Sequence, residues 1–194
     1  MEEKTDLRVR KTHLALHNAF LSLMEEKRFD ELTVNELCDR AMIRRTTFYK
    51  HFADKYDYFS FYIREVVGSF RTTLTPEVIQ GGVEGYVIYM VRQTVRFLRQ
   101  HDKLVQNVKN SSVFPVLLNI LLEQISSDIA KLLRRVGSDL SRTDAEGIAA
   151  FYAGGLTNVV FQYLKQDLPL DEEQLVDIVA SFLPSHLHPD HRVC

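Results

Sequence analysis

Four cations, Arg40, Arg44, Arg45 and Lys50, fall within residues 40–50, and no acid lies among them. Thr46, Thr47 and Tyr49 share that run, and His51 and Lys55 follow it. Side chains of these types, so grouped, suit the phosphates and base edges of DNA. An Arg can fork onto guanine O6 and N7, and a Thr methyl can meet the thymine methyl. Arg45, Thr46 and Thr47 are therefore expected at base edges, with Arg44 on the same surface. Tyr49, Lys50, His51 and Lys55 are expected at phosphates, which fix position without reading sequence. Thr33 adds the start of the preceding helix, where free backbone N–H groups attract anions.

Other chemistries find little support. There is no H-E-x-x-H, no G-x-S-x-G and no phosphate-cradling glycine loop. No enzyme activity and no cofactor are expected. His186, His188 and His191 lie near Asp190, but without a cysteine pair or a fixed helical spacing they read as a loose tail and no metal site is expected. His13 and His17, four residues apart, read as surface residues of a helix.

The elements that position the cations follow from spacing. Thr33 and Glu36 form the T-x-x-E of a capping box. Val34, Leu37, Cys38 and Ala41 recur at helical spacing and give that helix an apolar inner face. A turn then leads to a second short helix carrying the cations, an arrangement that suits the major groove. Phe48 and Phe52 close the small core from that helix. Upstream, Leu7, Leu14, Leu16, Phe20, Leu21, Leu23 and Met24 predict a helix with one dominant inner face over residues 7–26. Three helices make an economical head, residues 1–54.

Beyond it, Asp54 caps an aromatic-rich helix that runs to about residue 74 and is stopped by Thr75 and Pro76. Gly81, Gly82 and Gly85 mark a flexible connection. No alternating strand pattern appears, and helices are expected over residues 86–100, 104–109 and 114–137. Thr143 with Glu146, and Asp171 with Gln174, have the spacing of capping boxes for two more, the last stopping at Pro184. The fold class is all-α with about nine helices. The three-helix head is followed by a larger helical domain, residues 55–184, and a flexible tail, residues 185–194.

The composition is that of a globular chain: 194 residues, 45% apolar, 26% charged, net charge −2. Residues 1–55 hold eleven Lys and Arg against ten Asp and Glu, so the DNA-binding charge is local rather than global. Two cysteines, Cys38 and Cys194, make no disulfide framework, and a reducing cytoplasm fits. Residues 147–164 carry no charge but include Thr157, Asn158 and Gln162; they read as a helix buried in protein rather than a membrane span.

Thr33, Ala41, Ile43, the run TFYKHF at residues 47–52, and Lys55 resemble the DNA-binding signature of the TetR family of bacterial transcription regulators. The family pattern is roughly T-x-x-x-I-A-x-x-A-G-V-S-x-x-T-F-Y-x-H-F-x-x-K and covers about the first third of the chain. Two positions depart: Met42 replaces the turn glycine, and Arg44 replaces a small capping residue. A looser turn and a weakly capped recognition helix are expected. The resemblance implies a sequence-specific DNA-binding regulator, a dimeric repressor released from a palindromic operator by a small-molecule effector. The alternative is a DNA-bound regulator or co-activator whose C-terminal domain binds a protein partner.

Two half-sites need two heads, so a homodimer is expected. Its interface is assigned to the last two helices, through Ala150, Gly154, Leu156 and Val159 on one and Leu175, Ile178 and Phe182 on the other. In the family such helices form a four-helix dimer bundle. By the same analogy the middle helices enclose an effector pocket, with Tyr86, Met90, Phe97, Phe114 and Asn119 as lining.

Overall fold

The computed structural model describes residues 2–135, 140–165 and 170–183. Among them no strand occurs, and ten α-helices follow one another. They are α1 (Glu2–Glu26), α2 (Val34–Arg40), α3 (Arg45–Phe48), α4 (Lys55–Thr72), α5 (Pro76–Gln80), α6 (Gly82–Gln100), α7 (Asp102–Lys109), α8 (Phe114–Arg135), α9 (Arg142–Lys165) and α10 (Glu172–Ser181). A 3-10 turn, Phe29–Glu31, links α1 to α2. The chain forms two compact units: Met1–Val66 with His101–Leu117, and Val67–Gln100 with Leu118–Cys194.

The first unit is built on aromatic rings. Phe20, Phe29, Phe48 and Phe59 are fully buried, and Tyr58 and Tyr62 nearly so. Phe20 lies 4.7 Å from Tyr62 and 5.5 Å from Tyr58, centroid to centroid, and Phe52 lies 5.1 Å from Tyr58. Burying each such ring contributes about 1.5–3 kcal/mol. The first half of α4 supplies much of this core, which is why the compact unit runs on past residue 54. From further along the chain, Asn107 donates to the Met24 carbonyl at 2.7 Å, satisfying the end of α1. Ser112 donates through its backbone N–H to Asp30 at 3.0 Å. The inner face of α1 is narrower than its apolar count implied. Leu16, Phe20, Leu23 and Met24 are buried, while Leu7 and Leu14 are exposed.

In the second unit α6 carries Val83, Val87, Val91 and Val95 at four-residue spacing, all buried in one core with Ile129, Leu133, Ala149, Leu175 and Val179. Arg92 clamps Glu173 with two hydrogen bonds of 2.6 and 2.8 Å, joining α6 to α10. The expected flexible connection at Gly81, Gly82 and Gly85 is instead the junction of two helices, and α5 is the helix the sequence count missed. Gly82 adopts φ 62°, and a Cβ on Gly85 would lie 2.8 Å from the Val78 carbonyl oxygen. These glycines permit a sharp turn and close approach rather than looseness. The cap of α9 also lies two residues earlier than expected. Ser141, not Thr143, accepts from the backbone N–H of Asp144 at 3.1 Å and donates to its carboxylate at 2.7 Å. The Asp171–Gln174 capping box on α10 forms as the spacing requires.

No single helix among the described residues is long and apolar enough to cross a membrane. Cys194 and the histidines of the tail, with Asp190, lie outside the described residues.

Candidate nucleic-acid interface

The segment that carries the cations is set up by α2. Thr33 accepts from the Glu36 backbone N–H, and Glu36 accepts from the Thr33 N–H at 3.0 Å, completing the capping box. Lys27 also donates to Glu36; this bond, followed by those from Thr33, pulls the carboxyl down to about 2. The Thr33 hydroxyl, donating to Glu36 at 2.8 Å, is thus committed to the helix start.

At the far end of α2 the turn is tight, which corrects the expectation of a looser one. Ile43 N–H donates to the Cys38 carbonyl at 3.0 Å and Met42 N–H to the Asp39 carbonyl at 3.2 Å. This is the six-to-one and five-to-two pattern that ordinarily ends in glycine. Met42 takes the glycine conformation itself, φ 53°, with its side chain 92% exposed. The departure at Met42 therefore costs backbone strain without changing the shape of the turn. Arg44 begins α3 with no side-chain cap, so the second departure has the expected effect. α3 is a single turn, and hydrogen bonds from His51 and Phe52 to the Phe48 carbonyl extend the coil to residue 52.

This geometry sorts the cations. Arg44, Arg45 and Lys50 are exposed and form no hydrogen bond or ion pair with any described residue. Thr46 and Tyr49 are exposed beside them, and Thr47 is half-buried. Tyr49 packs edge-on against Phe48, which, as expected, is buried. Arg40 is different: it grips Glu26 with two bonds of 2.8 and 2.9 Å and also reaches Ser22, tying α2 to α1. Lys55 does not meet the expectation of a phosphate contact. Its ammonium donates to the carbonyls of Phe29, Asp30 and Leu32 at 3.1, 3.0 and 2.8 Å and lies over the Phe29 ring. All three of its protons are used closing the turn before α2. The sequence could not distinguish these two from the free cations, because their partners are 14 to 26 residues away.

His51 is exposed, and its ring meets His13 edge-on at 5.4 Å. His13 and His17 are half-buried rather than surface residues: His13 packs against Phe61 at 4.7 Å and His17 against Tyr62 at 4.9 Å. Burial, and then the neighbouring imidazoles His51 and His101 respectively, hold both below the usual histidine range, against an opposing pull from Glu65.

The second unit contains a cavity of about 60 Å³ lined by Tyr86 and Met90, as expected, and by Phe70, Ile125, Leu156 and Thr157. The Thr157 hydroxyl is buried with no partner among the described residues. The other expected lining residues are placed elsewhere. Phe97 packs on Phe70 without reaching the cavity, Asn119 is exposed and bonds Glu123 at 3.0 Å, and Phe114 belongs to the first unit. Tyr86 is fixed by donating to Asp128, which also takes Arg71 Nε at 2.8 Å.

Of the residues expected at a dimer interface, Ala150, Ile178 and Phe182 are exposed, and Gly154, Leu156 and Val159 are half-buried. Leu175 corrects that expectation: it is fully buried in the core of its own chain and offers nothing to a second copy. The sequence also overlooked Phe151, 77% exposed on α9. A Cβ at Gly154 or Gly155 would meet nothing within 4 Å, so neither glycine serves packing against the described residues.

Two comparisons with protein families cover most of the chain. Residues 18–60 match the bacterial regulatory proteins of the tetR family, and residues 88–185 match a transcriptional regulator C-terminal region of the same grouping. The HTH-type transcriptional regulator YxbF of Bacillus subtilis is 40% identical over 55 residues; that match spans 28% of this chain and 14% of YxbF. Solved structures of similar fold include the dihydroxyacetone kinase operon activator DhaS, at 17% identity and TM-score 0.62 over 88% of this chain and 94% of that one. A TetR transcriptional regulator from Rhodococcus sp. RHA1 gives 15% and 0.58 over 91% and 100%. The fatty acid degradation regulator FadR from Bacillus halodurans gives 19% and 0.57 over 93% and 96%.

Proposed function

Since the chain belongs to the TetR family of bacterial transcription regulators, we propose that it acts as a homodimeric repressor in the cytoplasm. Its two heads would read a palindromic operator through residues 44–50. The observation that carries this reading is the trio Arg44, Arg45 and Lys50, at the start of α3 and just past its end, each exposed with no hydrogen-bond or ion-pair partner among the described residues. Arg45, Thr46 and Thr47 would meet base edges, while Arg44, Tyr49, Lys50 and His51 would hold phosphates. Thr33 and Lys55 would support the interface by shaping α2 and the turn before it. Residues 1–54 act as the DNA-binding region, residues 55–184 as the effector and dimerisation region, and residues 185–194 as the tail.

The dimer reading is supported by Phe151, Ile178 and Phe182, which leave large apolar groups exposed on α9 and α10, and by the open space over Gly154 and Gly155. Ala150, Leu156 and Val159 would join that interface. Replacing Phe151 and Phe182 with Asp should convert the dimer to monomer in sedimentation; an unchanged mass would remove α9 and α10 as the interface.

The effector would enter the cavity beside Tyr86, Met90 and Thr157. At about 60 Å³ the cavity is well below the roughly 300–1,000 Å³ of ordinary ligand pockets, so a ligand must open it. The same small volume favours a second reading, in which the C-terminal region binds a protein instead. Selection of bound duplexes from a random pool tests the core of the proposal. A palindromic consensus is expected, and no enrichment over input would overturn it. The selected duplex then separates the two effector readings, since metabolites release it in one and a protein partner engages it in the other.

A further inference from the structure

Met42 is the one non-glycine residue with a positive φ among the described residues, 53°, and its side chain is 92% exposed. A side chain in the left-handed region is strained, because its Cβ crowds the following carbonyl oxygen. The fold needs that backbone conformation, since the bonds from Met42 N–H to the Asp39 carbonyl and from Ile43 N–H to the Cys38 carbonyl close the turn. It does not need the thioether, which glycine would omit at no steric cost. Met24 is fully buried and Met90 lines the cavity of the second unit, so both serve packing. Met42 serves none, and nothing in the fold offsets its strain.

Strained backbone of this kind clusters at binding surfaces, and the position of Met42 says which surface. Half-buried Ile43 alone separates it from Arg44, the exposed cation that opens α3. Two trans peptide steps place their Cα atoms at most about 7.6 Å apart. The two bonds that close the turn also fix the Cα–Cβ direction of Met42, so its side chain projects from a set point beside the cations. A thioether chain offers soft apolar surface and no charge. It has nothing for a phosphate, but it suits the C–H face of a deoxyribose.

We propose that Met42 contacts DNA, its side chain lying against the deoxyribose next to the phosphate that Arg44 holds, so that the contact offsets in the complex the strain borne by the free protein. This rests on the operator reading of residues 44–50 and extends that interface back across the turn. The sugar is the same at every nucleotide, so the contact strengthens binding to all sequences alike. It neutralises no phosphate and therefore releases no counterion. A single variant should then act in opposite directions: Met42→Gly relieves the free head of strain and weakens the complex.

Fluorescence anisotropy of the full-length protein tests the contact, on the duplex selected from a random pool and on a scrambled duplex, with circular dichroism showing that each variant is folded. Met42→Gly should bind both duplexes about tenfold more weakly, about threefold per head, as part-burial of one methionine allows. Its salt dependence should match that of the wild type. Met42→Leu, equally strained and still apolar, should recover most of the affinity that glycine loses. Met42→Lys puts a cation at the same point and should steepen the slope of log K against log[salt] by about 1.8, one added phosphate per head at about 0.9 each. Wild-type affinity for Met42→Gly, a slope unmoved by Met42→Lys, or a loss confined to the selected duplex would overturn the proposal while leaving the operator reading intact. Wild-type protein that binds neither duplex would instead remove the operator reading, and this contact with it.

Discussion

Salt dependence offers a direct test of which cations face DNA. Counted from sequence, five cations lie between residues 40 and 55; the structure leaves three of them, Arg44, Arg45 and Lys50, without partners. Each phosphate neutralised releases counterions and contributes about −0.9 to the slope of log K against log[salt]. With two heads on an operator, the segment contributes a slope of at most about −5 from three cations per head, against about −9 from five. Lys50→Ala should flatten the measured slope by about 1.8, one phosphate per head, and weaken all DNA alike. Arg40→Ala and Lys55→Met should leave the slope where it is, whatever they do to stability. Arg45→Ala should cost about 1–3 kcal/mol per half-site and relax base preference. Fluorescence anisotropy with the selected duplex between about 50 and 200 mM salt reads all four variants in the range where the effect is large. A slope that flattens as much for Lys55→Met as for Lys50→Ala would refute the sorting of the cations.

Three other perturbations probe the structure elsewhere. Met42→Gly removes a left-handed strain of about 1–2 kcal/mol but adds about 0.4–1 kcal/mol of unfolded-chain entropy, so thermal melts should show a net gain of about 0.8 kcal/mol; a loss of stability would mean the methionine makes an interaction worth more than the strain. His13 and His17 both titrate below their unfolded value, so the unfolded chain takes up protons first as pH falls through about 6.5. Stability should therefore be complete above that pH and decline as pH drops toward the folded values, and the His13→Gln/His17→Gln variant should lose most of this decline; an identical pH profile would exclude both imidazoles as its source. Asp128→Ala should destabilise the second unit by about 1–3 kcal/mol in urea, because it leaves Arg71 and the Tyr86 hydroxyl without their shared acceptor; an unchanged midpoint would show that the network contributes no net stability.

How far the sequence could be read depended on the range of the interaction concerned. Capping boxes at Thr33 and Asp171, the helical periodicities and the run at residues 47–52 are local signals, and each appears in the fold where its spacing placed it. The helix over residues 76–80 was hidden because proline and glycines on either side resemble a loop. What spacing could not reveal is partnership across the fold. Arg40 finds Glu26 on α1, Lys55 finds three carbonyls of an upstream turn, and Leu175 enters its own core rather than facing outward. The cavity lining failed for the same reason: Tyr86 and Met90 share one helix and were found together, whereas Ile125, Leu156 and Thr157 reach it from other parts of the chain.

The carbonyl tripod around Lys55 has a consequence for covalent reactivity. An acylating reagent must reach the amine nitrogen, and this one is enclosed by three carbonyl oxygens at 3.1 Å or less. Lys50, exposed five residues earlier, has no such restraint. Lys50 and Lys55 thus differ as nucleophiles, and acetylation would fall on Lys50, the one proposed to hold a phosphate. The head would keep its shape while losing a phosphate contact, so acyl transfer could silence DNA binding without unfolding the domain that performs it.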